Sequence, residues 1–147
     1  MTEKFLARHT TASLETLTKG KRGVIALVPV GSTEPHGPHL GLGADVVISA
    51  AACLRAAELL EKRGTMVGVI APAISYGVTE CATGFSGAVS IPAAVLTQYI
   101  AAVCDGLSVI SDAMTSITIA GSNHTSMSMP VSTRACFWCI TCFSSSR

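Results

Sequence analysis

Two short apolar runs, GVIALVPV at residues 23–30 and TMVGVIAP at 65–72, constrain this chain more than any other feature. Each is rich in β-branched side chains and bounded by turn formers, with KGKRG before the first run and GSTEP after it. A run with no polar face has nothing to present to water, so it predicts a strand covered on both sides, as in parallel sheets flanked by helices. Between them, DVVISAAACLRAAELLEKR at 45–63 is a strong helix former, with Asp45 as candidate N-cap and Gly64 just beyond the end. Its polar positions Arg55, Glu58 and Glu61 or Lys62 recur at three- and four-residue steps, which leaves a wide apolar face to bury.

The same punctuation recurs along the chain. Ala12, Leu14 and Leu17 suggest a short helix over 11–19 that stops at Gly20. A helix is expected from about Pro92 to Asp105, with Ser90 or Ile91 near the cap, Pro92 in the first turn and Gly106 after it. SITIA at 116–120 reads as a third strand. Alternating strands and helices predict an α/β fold with a mainly parallel sheet. With 147 residues, one core is expected.

Composition narrows the partners. Ten basic and nine acidic residues are scattered along the chain, which offers no basic stripe for nucleic acid. The N-terminus MTEKFLARHT lacks a secretory apolar core, and no apolar run is long enough to span a bilayer, so a cytoplasmic protein without a membrane partner is expected. Cys53, Cys81 and Cys104 lack disulfide-framework spacing and read as buried structural thiols.

Against that apolar background, GSTEPHGPHLGLGAD at 31–45 gathers two histidines, two carboxylates, four glycines and two prolines. It leaves the first strand where open α/β sheets bind ligands, beyond the carboxyl end, and the loop GSNHTS at 121–126 leaves the third strand at the same edge. Glu34 and His36 lie two apart, on one side of an extended chain. With Asp45 and His124 they form a mixed oxygen and imidazole set suited to zinc or manganese. Two such metals, about 3.5–4 Å apart, need a bridging carboxylate, for which Asp45 is the natural candidate. The plainer alternatives are a turn histidine, a capping Asp45 and a solvated Glu34. Clustering favours the site, because long loops without secondary structure are uncommon unless functional. Dinucleotide binding and serine hydrolysis have no support, since GLGAD lacks a third glycine and neither Ser32 nor Ser122 sits in a nucleophile elbow.

The segment PVGSTEPHGPHLGLGADVVISA resembles the metal loop of the creatininase family, also called creatinine amidohydrolases, whose motif runs P-V-G-S-x-E-x-H-G-x-H-L-P-x-x-T/V-D. ISYGVTECATGFSGAVSI is similar to the family's Y-G-x-S-x-H-x-x-F-P-G-T-x-S segment, and GSNHTS stands where the family has N-G-H-x-x-N. The resemblance implies a three-layer α/β/α fold, often a homohexamer, and a binuclear zinc or manganese site. It implies hydrolysis of cyclic or linear amides, at C–N bonds other than peptide bonds, by a metal-activated water acting on a small-molecule substrate. By position, Glu34, His36, Asp45 and His124 match metal ligands, and Glu80 is a candidate polar contact near the substrate.

The departures sharpen a second reading. Creatininase itself has a Glu two residues after the last His, where this chain has Ser126, and no carboxylate follows Asp112. The tail from 128 to 147 carries Cys136, Cys139 and Cys142 with no family pattern, and three thiols without a fourth partner make a weak zinc motif. The expected organisation is therefore the N-terminal part of a creatininase-like domain over 1–127, its C-terminal part missing, followed by a divergent Cys/Ser-rich tail over 128–147, read as a truncated or frame-shifted ending. The alternative to an enzyme is a truncated, non-catalytic remnant that keeps part of the fold and the metal loop.

Overall fold

A computed structural model describes residues 2–110 and, as backbone, the strand residues 113–115, 117–118 and 138–139. Helix α1, Thr11–Thr18, opens with a capping box: Ser13 N–H donates to Thr10 Oγ1 at 3.2 Å and Thr10 N–H donates to Ser13 Oγ at 3.0 Å. Strand β1 follows at Gly23–Leu27, then helix α2 at Ala44–Arg63, strand β2 at Met66–Ile70, helix α3 at Ala93–Leu107 and strand β3 at Ala113–Thr115. These strands form one parallel sheet in the order β2-β1-β3, with Gly23 opposite Met66 and Ile25 opposite Ala113. From β1 the chain passes through α2 to β2 on one side, then through α3 to β3 on the other. That reversal makes the carboxyl end of β1 a topological switch point, where open α/β sheets hold ligands.

Alternation along the strands separates two cores. Leu27 and Ile70 pack with Cys53 and Ala57 of α2. The neighbouring residues Val28 and Ala71, with Val30 and Ile74, pack with Leu96, Ile100 and Cys104 of α3. Successive strand residues point to opposite faces, so α2 covers one side of the sheet and α3 the other. The result is the expected three-layer α/β/α arrangement. An N-terminal arm lies along the outer edge of β2, where Ile70 N–H donates to Lys4 O at 2.7 Å, and Lys4 Nζ reaches Glu61 of α2 at 2.6 Å.

Several boundaries differ from expectation. The third strand of the sheet is Ala113–Thr115, upstream of SITIA; Ile117–Thr118 instead pairs in parallel with Trp138–Cys139 as a separate two-stranded unit. Pro92 is the N-cap of α3 rather than part of its first turn, and Gly106 lies inside the helix. Gly43 is the N-cap of α2 and Asp45 stands in the first turn without capping it, while Gly64 ends the helix at φ +69° as expected. Cys53 and Cys104 are buried but Cys81 is exposed, because it sits in a single surface turn at Glu80–Ala82.

Candidate metal centre

The polar loop begins where the β1 ladder stops. Beyond Leu27 the chain stays extended: Gly31 N–H donates to Ile74 O and Ile74 N–H donates to Pro29 O, each at 2.9 Å. Thr33 Oγ1 donates to Ser75 O at 2.6 Å, and Val89 N–H donates to Thr33 O at 3.2 Å, so the segments on both sides of Tyr76 hold the loop's first limb. Glu34 N–H then closes the loop on itself by donating to Leu42 O at 2.9 Å. A side chain at Gly31 would stand 2.5 Å from Val46 N and 2.7 Å from the carbonyl carbon of Asp45. Only glycine lets the first turn of α2 approach the strand exit this closely.

That approach delivers Asp45 to the loop. One ligand atom each from Glu34, His36 and Asp45 lies within 4.8 Å of the others. Glu34 and Asp45 are each 4% exposed, a degree of burial that carboxylates show only when paired or bound to a cation. His36 Nδ1 is 2.9 Å from the backbone oxygen of Glu34. A carbonyl oxygen can only accept, so Nδ1 is the donor of this pair and Nε2 is the ring atom turned towards Asp45. Nε2 lies 3.1 Å from Asp45 Oδ1, a separation that a shared proton or a common metal ion would satisfy. Metal-ligating histidines are held in this way, with the second ring nitrogen donating to a carbonyl or carboxylate. The other Asp45 oxygen, Oδ2, is buried and has no hydrogen-bond partner among the described residues. One imidazole and two carboxylates, with an oxygen left over, fit a zinc or manganese ion.

The other candidates fall elsewhere. His39 is exposed and does not join the group. Glu80 is exposed in its surface turn and is not among the converging donors. His124 lies outside the described residues, as do Ser126, Cys136 and Cys142. Two contributors were not anticipated. Gly31 carries no chemistry, and its meaning depends on what packs above it. Ser49, fully buried in α2, accepts a hydrogen bond from Val30 N–H at 2.9 Å. The single signal for it was a hydroxyl four residues after Asp45 in an Ala-rich run.

Known proteins agree with this architecture. The creatininase family profile, described as creatinine amidohydrolase, matches residues 7–114. A protein of Mycolicibacterium smegmatis named mycofactocin precursor peptide peptidase is 44% identical over 72 residues, 49% of this chain and 29% of its own. The protein of that name from Mycobacterium tuberculosis is 35% identical over 78 residues, 50% of this chain and 31% of its own. The chain thus spans less than a third of the length of these relatives. Among solved structures, "Creatininase Mn" superposes with a TM-score of 0.68 at 23% identity, covering 79% of this chain and 45% of that one. A Zn-Zn creatininase variant gives a TM-score of 0.66 at 23% identity, again covering 79% of this chain and 45% of that one. The fold is that of these creatininases, and with the family profile matched over most of its length, the chain belongs to the creatininase family.

Proposed function

We propose that this chain carries the metal centre of an amide hydrolase, in which Glu34, His36 and Asp45 hold a divalent zinc or manganese ion. The observation that carries the reading is their convergence within 4.8 Å of one another, with a buried Asp45 oxygen that has no hydrogen-bond partner among the described residues. Three protein donors with an open position are the pattern of catalytic rather than structural sites. A divalent ion held there would polarise an amide carbonyl and acidify a water molecule. The chain's own residues supply the rest. The Glu34 carbonyl orients the His36 ring, and the start of α2 carries Asp45 to it. His124 is proposed as a ligand of a second ion, for which Asp45 would be the bridge, and Glu80 as the polar contact to substrate. Higher identity to proteins named as peptide peptidases than to the solved creatininases favours a linear, peptide-type amide over a cyclic one. A cytoplasmic homo-oligomer acting on small substrates accompanies this reading.

Elemental analysis after reconstitution should find near-stoichiometric zinc or manganese, lost in Asp45→Ala, together with amide hydrolysis abolished by chelator and by His36→Ala. Metal without hydrolysis would support the second reading, a non-catalytic remnant, which is favoured by Glu80 standing apart from the three donors. Absence of metal binding would overturn the metal-centre reading.

A further inference from the structure

We propose that Ser49 is a positioning residue for the metal centre: its hydroxyl locks the first turns of α2 to the exit of β1 and thereby sets the distance from Asp45 to Glu34 and His36. The proposal rests on the metal-site reading above. Along the extended exit, Pro29 and Gly31 pair on one side with Ile74. The N–H of Val30 points to the opposite side, where β3 pairs with β1 only as far as Leu27. Among the described residues no strand is there to accept it, and Val30 is 3% exposed, so water does not reach it either. Ser49 Oγ takes that place at 2.9 Å, itself fully buried.

Ser49 lies one helical turn after Asp45, on the same face of α2. The bond therefore joins the helix face that carries one donor to the strand exit that carries the other two. Gly31, the next residue along the strand, touches Val46 and Asp45 from the same side. Steric contact at Gly31 sets how close the helix can come; the Ser49 bond keeps it there and fixes its rotation. Without the hydroxyl, the Val30 donor is left buried and unsatisfied, and the pair relaxes by moving apart or admitting water. Either movement displaces Asp45 while leaving every metal donor chemically intact.

Cobalt(II) serves as the probe, because its visible absorption reports coordination geometry as well as affinity. The full chain is titrated as wild type, Ser49→Ala, Asp45→Ala and Ile100→Val, the last a mild core change in the α3 layer. The expected result is a cobalt affinity about tenfold or more weaker in Ser49→Ala, the size typical of losing a residue that orients a ligand. Its absorption bands should shift, while Ile100→Val binds as wild type. Unchanged affinity and spectrum in Ser49→Ala would overturn the proposal, as would equal losses in Ser49→Ala and Ile100→Val, which would show only general destabilisation. If Ser49→Ala does not fold by circular dichroism, Ser49→Cys, similar in size and a weak acceptor, is held to the same two criteria. Failure of the metal reading itself looks different: the wild type binds no cobalt, or Asp45→Ala binds as well as wild type.

Discussion

At the scale of single residues, what matters is how little room surrounds the candidate centre. Gly31→Ala forces a methyl to within 2.5 Å of backbone, where no side chain can swing aside, and should cost about 1–3 kcal/mol in urea unfolding. It should also weaken metal binding, since the helix that carries Asp45 has to retreat. Cys53 offers a check on burial. Desolvation pushes its thiol up to about 11, so peptide mapping after alkylation at pH 8 should find Cys53 unmodified until the protein is unfolded, while exposed Cys81 is labelled. That Glu34, His36 and Asp45 come together was legible in the sequence, because titratable groups stand out in an apolar chain. Ser49 was not, because a serine among alanines looks like filler until the Val30 N–H is seen to have no other acceptor.

At the scale of elements, the apolar runs identify β1, β2 and α2 well, since their lengths and bounding glycines leave few alternatives. Gly64 ends α2 in the left-handed region, and Gly64→Ala should cost about 1 kcal/mol in thermal or urea unfolding. The third strand was placed a few residues late. AMTSITIA is apolar or β-branched apart from Ser116, and nothing inside it says which three residues will pair with Ile25–Leu27. Register is decided by the partner strand, not by the strand's own composition. Asp45 shows the same division. As a carboxylate at a helix start it fits a capping role, but Gly43 occupies the cap, and the two-residue offset turns Asp45 towards His36 instead.

At the scale of the whole molecule, the arm along β2 ties the chain's beginning to the end of α2. The hydrogen bond from Lys4 is the main reason the Glu61 carboxyl falls from 4.5 to about 2. A carboxylate with a lowered folded-state value stabilises the fold above its unfolded value, and that contribution is lost as pH falls through the folded one. Glu61→Gln should therefore be less stable than the parent above pH 4.5 and converge with it towards pH 2, as read from urea midpoints across that range. Saturating zinc or manganese should raise the midpoint as well, by about 2.7 kcal/mol at a hundredfold excess over the dissociation constant, and the gain should vanish in Asp45→Ala. The sequence by itself determined the α/β alternation, the two buried strands and the identities of the loop's donor groups, because hydrophobic periodicity and side-chain chemistry are local properties. Only the tertiary structure decided the strand order that puts β1 at the switch point, the close approach permitted by Gly31, and the partners of Val30 and Asp45. Those depend on which segments, distant along the chain, come within contact distance, and no local pattern carries that information.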